Sequence, residues 1–357
     1  MTLKIIQLVC FGLGGVLLAV ITNILLLRFS KSLGIRNKND VVIRWSSESK
    51  PSLGGVSFFV VFIFAAIAYS IVFDEVNIFQ NKKYVGMFFA GSLAFVMGLA
   101  DDAYNTRPYF KLLIQIICGV LFVVTGSYIH ITGNFWINAI VTVVWTVGVM
   151  NSLNMLDNMD GITGTTSFFI LVSCLVSSWL VFDFNTNIWT LLMVSVIGSI
   201  MGFLTMNIYP SKLFMGDAGS QFIGAFIAFC GVEFLWNTGY DLKHPGWLGI
   251  FVTVVAFTPA AVDTMTVVIN RLKRGQSPMV GGKDHTTHHL VYAGLTDRKV
   301  WYVFVAIGLV ASILTIAMIN LIKLDTIIPP IFFASYSLFV FILLYRNTLK
   351  YPGPKKS

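Results

Sequence analysis

The run Val147-Gly148-Val149-Met150-Asn151-Ser152-Leu153-Asn154-Met155-Leu156-Asp157-Asn158-Met159-Asp160-Gly161 passes without a break from an apolar stretch into amides and carboxylates. Its apolar half belongs to a segment near 132–153, long enough to cross about 30 Å of hydrocarbon. Carboxylates at the end of such a segment are expensive unless they face water, a counterion or a metal. The same junction recurs: Asp101-Asp102 closes an apolar segment near 84–100, and Gly216-Asp217-Ala218-Gly219 opens one near 218–236. Further apolar stretches fall near 5–27, 54–73, 111–127, 165–182, 188–206, 247–270, 300–320 and 327–345. The expectation is an all-α, polytopic integral membrane bundle of about 11 transmembrane helices, with residues 1–357 as a single membrane domain.

Composition agrees with this reading. Of 357 residues, 56% are hydrophobic and 11% charged, and mean hydropathy is +0.81; a soluble domain carries about 25% charged residues. Residues 5–27 are Leu-rich with no small-residue cleavage site after them, so they read as a retained first helix rather than a signal peptide. Cys10, Cys118, Cys174 and Cys230 all lie in apolar spans without a CxxC pair, which favours buried small hydrophobes over a disulfide or zinc site. With no Gly-rich nucleotide fingerprint and no basic-aromatic groove, nucleic acid is not an expected partner.

The formal charge of +8 is then a matter of topology. Residues 28–53 hold Arg28, Lys31, Arg36, Lys38, Arg44 and Lys50 against Asp40 and Glu48, a net +4; residues 271–299 are also +4. The C-terminal segment adds Arg346, Lys350, Lys355 and Lys356, while 74–83 balances Asp74 and Glu75 with Lys82 and Lys83. Eleven spans put the three basic segments on one side, which the positive-inside rule makes cytoplasmic. The N-terminus is expected outside, the C-terminus inside, and the polar segments near 101–111, 151–164, 207–220 and 271–299 all on the cytoplasmic face.

Each polar constellation admits a chemical and a structural reading. Adjacent Asp101 and Asp102 can bind a hydrated divalent cation, one can act as a base, or both can be a solvated helix end near Arg107. Pro108 opens the following segment, and Lys111 reads as an interfacial anchor. Helical spacing puts Asn151, Asn154 and Asp157 roughly along one face, where amides suit a base edge or sugar hydroxyl and Asp157 a cation. A plain Asx-turn and helix cap explains one or two of the polar residues in this run but poorly explains five. Asp217 can cap its helix or present a carboxylate to magnesium, a hard cation commonly shared with substrate phosphate. The same helix N-terminus favours an anion. Asn207, before Pro210, reads as a local cap or a nucleotide contact. Asp263 lies inside the ninth apolar stretch, after Pro259, and is expected to face a bundle interior or cavity. Downstream, Arg271, Arg274, Lys283, Asp284, His285, His288 and His289 form a basic, imidazole-rich loop in which Gly281-Gly282 permits closure. Phosphate recognition is preferred there over zinc, since thiolates are absent.

Taken in order, these residues resemble the polyprenyl-phosphate N-acetylhexosamine-1-phosphate transferase family, which includes the phospho-MurNAc-pentapeptide translocases. The resemblance rests on Asp101-Asp102, the Asn151–Gly161 run, Met215-Gly216-Asp217-Ala218-Gly219-Ser220 and the Asp263…Arg271…His285-Thr286-Thr287-His288-His289 assembly, from about residue 50 to 295. It implies a bacterial inner-membrane enzyme with a cytoplasmic active site. Such an enzyme moves a sugar 1-phosphate from a UDP-N-acetylhexosamine to undecaprenyl phosphate, releases UMP and requires Mg2+, with Mn2+ as a substitute. By the same resemblance, Asp217 is the principal metal ligand with Asp102 beside it, and one of Asp101 and Asp102 activates the lipid phosphate. Asp157, His288 and His289 complete the catalytic set. Asn151, Asn154, Asp160, Asn207, Asp263, Arg271, Lys283 and His285 are implied to contact substrate.

Two departures from the family pattern matter. The proline-rich string before the first Gly-Gly is reduced to Lys50-Pro51-Ser52-Leu53-Gly54-Gly55, and Asn158 replaces a flexible residue in Asp157-Asn158-Met159-Asp160-Gly161. The Asp284-to-Leu290 segment is closer to the GlcNAc-1-phosphate branch than to the pentapeptide branch. The pentapeptide enzyme stays as the alternative, and a lipid-linked sugar transporter is the reading from another class. Transport is disfavoured because the acids cluster at helix ends and no inverted repeat is visible. Membrane lipids are expected partners, and a homodimer is left open.

Overall fold

The computed structural model describes residues 1–29, 50–73, 77–278, 281–325 and 329–353. Lys31, Arg36, Lys38, Arg44, Asp40, Glu48, Asp74, Glu75, Lys355 and Lys356, on which part of the charge argument rests, lie outside the described residues. The described chain is helical. In order come α1 (Thr2–Phe29), α2 (Val56–Val72), α3 (Lys82–Tyr104), α4 (Pro108–Val124), α5 (Phe135–Leu156), α6 (Ile162–Phe182) and α7 (Ile188–Asn207). Then follow α8 (Gly216–Gly231), α9 (Thr238–Asp241), α10 (Leu248–Ala256), α11 (Thr258–Lys273), α12 (Thr286–Tyr292), α13 (Asp297–Lys323) and α14 (Pro330–Lys350).

Among the described residues, eight helices are long and apolar enough to cross a membrane: α1, α3, α5, α6, α7, α13, α14, and α8 with the π turn Val232–Trp236 that extends it. Together, α10 and α11 make a ninth, bent by 83°. All eleven apolar stretches of the sequence are helical. However, α2 and α4 have only 17 residues each, about 25 Å at 1.5 Å per residue. The bend in the ninth stretch falls at Phe257, just before Thr258-Pro259. Proline lacks the N–H needed to continue the helical ladder and its ring clashes with the preceding turn, so α11 starts there in a new direction.

Local signals explain the helix starts. The side chains of Asn81, Asn134 and Asn187 accept backbone N–H bonds at the first turns of α3, α5 and α7, the capping that frees a helix end from unsatisfied donors. Pro108 opens α4, where its missing N–H is harmless. The hub is α8, of which 94% is buried. Its Phe222 and Phe226 pack against Phe62 of α2, and Phe229 against Phe122 of α4 and Trp189 of α7. In contrast, α1 and α14 are 11% and 22% buried and expose leucines, isoleucines and phenylalanines, as lipid-facing helices do.

Helices without a hydrophobic drive to associate in lipid rely on close backbone approach. At Gly98 of α3 a Cβ would lie 2.4 Å from the Asp217 carbonyl oxygen, and at Gly55 it would lie 2.0 Å from the Gly219 Cα. These contacts pull α2 and α3 onto the first turn of α8. The ends of α3, α5, α7 and α11 and the starts of α4, α6 and α8 therefore meet at one end of the bundle.

Candidate active site

At that end the first turn of α8 is held from three sides. Gly54 N and Gly55 N donate to the carbonyls of Phe214 and Met215 (both 2.9 Å), and Phe214 N donates to Pro51 O at 2.9 Å. This short pairing ties the reduced Lys50–Gly55 string to the approach to Asp217. Gly216 has φ +77°, and a Cβ there would lie 2.1 Å from Ser52 O, so glycine is required by both backbone and space. Ala218 N donates to Asp102 Oδ2 at 3.0 Å. Asp102, read from the sequence as a metal ligand, a base or a solvated helix end, thus caps a different helix, where an anion is favoured.

The carboxylates converge on one cation. Lys111 Nζ forms an ion pair with Asp101 and, at 3.1 Å, with Asp217 Oδ2. Asp101 is 3% exposed, and its other oxygen accepts from Thr106 N (2.8 Å) and Thr106 Oγ1 (2.6 Å). Asn154 Nδ2 donates to Asp217 Oδ1 at 2.7 Å and to Ser220 Oγ at 2.9 Å. Behind this layer, Gln115 Nε2 donates to Asn151 Oδ1 and to Gln221 Oε1, both at 3.1 Å, and Asn151 Nδ2 returns to Gln115 Oε1 at 2.8 Å. Asp101, Asp217 and Asn154, chosen from the sequence, are thus parts of one network with Asp102 at its edge, while Asn151 belongs to the Gln115–Gln221 set behind it.

Lys111, Thr106, Gln115 and Gln221 were not among the chosen residues. Lys111 stands ten residues after Asp101, in an otherwise apolar helix start, which is the one signal that could have marked it.

A second cluster surrounds the histidines. Asp263 is fully buried; its oxygens meet His285 Nδ1 (2.8 Å), Thr286 N (2.8 Å) and Thr286 Oγ1 (2.6 Å). The isolated carboxylate of the ninth stretch therefore anchors the start of α12. Arg271, 4% exposed, grips Asp284 through Nε (3.0 Å) and Nη2 (2.7 Å) and donates through Nη1 to Pro278 O (2.8 Å), and Arg274 adds an ion pair to the same carboxylate. Burial raises the Asp284 pKa, but the hydrogen bonds and charge of Arg271, with His285 and Arg274, outweigh it and hold the carboxyl down at about 2. For His288, burial and neighbouring His285 depress the pKa to about 3, against a partial pull from Asp263. Burial also lowers that of His289, whose Nδ1 lies 2.7 Å from Tyr351 O. Both His288 and His289 are therefore neutral near pH 7, able to hydrogen-bond an oxygen without adding charge.

Asn158, just past the end of α5, touches the second cluster: its Oδ1 accepts from Thr287 Oγ1 at 2.6 Å. The neighbouring Asp157 is the half-buried C-cap of α5. Lys283 is exposed on the loop, and its carbonyl accepts from Tyr292 OH. Asp160 and Asn207 sit elsewhere in the arrangement. Asp160 Oδ2 accepts from Ser211 N at 2.9 Å; Asn207 Oδ1 accepts from Gly161 N and its Nδ2 donates to Leu213 O, both at 2.9 Å. These two side chains pin the 208–215 segment to the end of α5. In the same way Asp263, His285 and Arg271, expected at substrate, here hold the loop that carries His288 and His289.

Among the described residues no group of three or more His, Cys, Asp or Glu is placed to hold a metal ion by itself. Asp101 and Asp217 nevertheless already share a single cation, the Lys111 ammonium. Magnesium is commonly held by one or two carboxylates with waters and substrate phosphate supplying the rest, so Asp217 with Asp102, which caps the same first turn of α8, fits such an ion.

The long apolar helices make this a multi-pass membrane protein, with aspartates, a lysine and neutral imidazoles near one end of the bundle. Residues 84–235 match the family model "Glycosyl transferase family 4". It is similar to the "Probable undecaprenyl-phosphate N-acetylglucosaminyl 1-phosphate transferase" of Bacillus subtilis, 29% identical over 75% of this chain and 73% of that one. It is also similar to the "Undecaprenyl-phosphate alpha-N-acetylglucosaminyl 1-phosphate transferase" of Escherichia coli, 27% identical over 74% and 70%. A "Phospho-N-acetylmuramoyl-pentapeptide-transferase" of Streptococcus agalactiae is 24% identical over 87% and 98%.

Proposed function

We propose that this protein transfers N-acetylhexosamine 1-phosphate, GlcNAc 1-phosphate by preference, from a UDP-sugar to undecaprenyl phosphate, releasing UMP. The match of residues 84–235 to the glycosyl transferase family 4 model and the activities named for the similar proteins support the reaction class. The observation that carries the site is Lys111 seated between Asp101 and Asp217, with Asp102 on the first turn of α8. In this reading an acceptor phosphate oxygen attacks the β-phosphorus, a new P–O bond forms, and the bond to UMP breaks while the sugar C1–O bond stays intact. The anionic acceptor needs orientation more than deprotonation. Lys111 supplies a positive charge for phosphate oxygens. Asp101, fixed by Thr106 and Lys111, sets where that charge sits. Asn154 orients Asp217, and neutral His288 and His289 hydrogen-bond the diphosphate or the sugar. Asp217 and Asp102 would hold Mg2+, or Mn2+, which supplies charge neutralisation at the diphosphate.

The same reading takes all eleven helical stretches as spans, α2 and α4 being short and the ninth broken. It places the N-terminus outside and the active end on the cytoplasmic side of a bacterial inner membrane. The basic residues of 271–299 support that orientation. To test the reaction, purified protein is given undecaprenyl phosphate, Mg2+ and a mixture of UDP-GlcNAc, UDP-GalNAc and UDP-MurNAc-pentapeptide. UMP release and product mass are followed. The expected product is undecaprenyl-diphosphoryl-GlcNAc. A dominant pentapeptide product moves the protein to the peptidoglycan branch, and no UMP release with any donor rejects the reaction.

A further inference from the structure

Beside α12, on the outer face of the site end, lies a groove of about 530 Å³ between Leu290 and the last turns of α14. Leu343, Leu344 and Leu349 form its apolar wall, while Arg346 and Lys350 stand at it as exposed cations with no acid among the lining residues. Asn347, in the same wall, has a buried Nδ2 with no hydrogen-bond partner among the described residues. The surroundings have an interfacial character: Lys273 Nζ donates to Tyr345 OH at 2.7 Å, and Lys350 Nζ sits 5.3 Å from the Tyr351 ring centroid. Aromatic rings with long cationic side chains mark the headgroup level of a bilayer. The sequence adds Lys355 and Lys356 just beyond, so the chain's own next residues match the groove poorly in charge.

We propose that this groove is a binding site for an anionic phospholipid. Its phosphate is held by Arg346, Lys350 and the unused Asn347 donor, and an acyl chain lies along the leucines. Apolar wall, paired cations and orphaned amide donor match the three parts of such a molecule: chain, charge and oxygen. The site is separate from the carboxylate cluster, but Tyr351, which also lines it, holds His289 through its carbonyl.

Binding is read directly and does not depend on the transferase reading. Detergent-solubilised full-length protein is titrated with phosphatidylglycerol and, separately, phosphatidylcholine, and bound lipid is counted by native mass spectrometry. Phosphatidylglycerol is expected to bind about tenfold more tightly than phosphatidylcholine, given the attraction of two basic side chains for an anionic lipid. Arg346→Gln with Lys350→Gln should remove that preference. Arg298→Gln with Lys299→Gln, an equal charge loss at exposed positions on the start of α13, should keep it. Asn347→Leu, which leaves both cations, should weaken binding about threefold, within the net range of one ordinary hydrogen bond. Equal losses in the two double variants would mean diffuse surface charge and overturn the site, as would equal binding of the two lipids. Binding of glycerol 3-phosphate as tight as that of phosphatidylglycerol would remove the role of the leucine wall and overturn the lipid assignment. Monodispersity of each variant separates lost binding from lost fold.

Discussion

Lys111 has two carboxylates within ion-pair reach, and removing it leaves them facing each other in a half-buried setting. Lys111→Met should lower transfer about a hundredfold or more, because it removes both a charge for phosphate and the group that positions Asp101 and Asp217. Lys111→Arg should rescue poorly, since a planar fork does not replace a compact ammonium. Turnover measured beside detergent monodispersity checks both, and wild-type turnover in Lys111→Met rejects the role. Asp217→Asn should abolish metal-dependent transfer in a bundle that still folds, and retained turnover with an intact magnesium dependence would exclude Asp217 as a ligand. A third expectation concerns pH. The folded pKa of His288 lies near 3 against an ordinary 6.5, so the unfolded chain takes up a proton that the folded one refuses. Stability is full above about pH 6.5 and falls as pH drops towards 3. Thermal unfolding across that window should show the decline, and His288→Asn should flatten it. The histidines and aspartates stood out in the sequence because charge inside apolar context is rare. Lys111 did not, because its partner Asp217 lies 106 residues away and a lysine at a helix end looks like any interfacial anchor.

Helix contacts decide where those residues sit. Gly98→Ala would place a Cβ 2.4 Å from the Asp217 carbonyl, forcing α3 away from α8. The expected loss is about 1–3 kcal/mol of stability, with a fall in turnover as Asp217 shifts. Gly148→Ala is the control: nothing lies within 4 Å of its Cβ, so it should be neutral or gain up to about 1 kcal/mol from helix propensity. Unfolding midpoints of the two variants give the comparison, and equal effects would remove the close-contact argument. The helical stretches were legible from hydropathy, while eight or nine of them have the length and composition of a membrane span and α2 and α4 are shorter. The 83° break was not read, although Pro259 stood in plain view, because a proline can also kink a continuous helix. The loop geometry was legible only in composition. Which of its charges face outward depends on the Arg271–Asp284 and Asp263–His285 pairs, and these form between an α11 residue and a loop residue 13 and 22 positions on.

For the molecule as a whole, the proposed orientation puts Lys82 and Lys212 on opposite faces of the membrane. Both are exposed in the structure, so single cysteines there should label from opposite sides of sealed vesicles; labelling from one side would reverse the assignment of one end. The break at Phe257 has a further consequence. Nine-residue α10 rises only about 14 Å before the chain turns by 83° into α11, so this stretch does not cross the hydrocarbon as one straight helix. In the proposed reaction one reactant is dissolved in the membrane and reaches the site by a two-dimensional search, while its water-soluble partner arrives through three dimensions. The kinetic variable for the first is its number per unit area of bilayer, and for the second its number per unit volume.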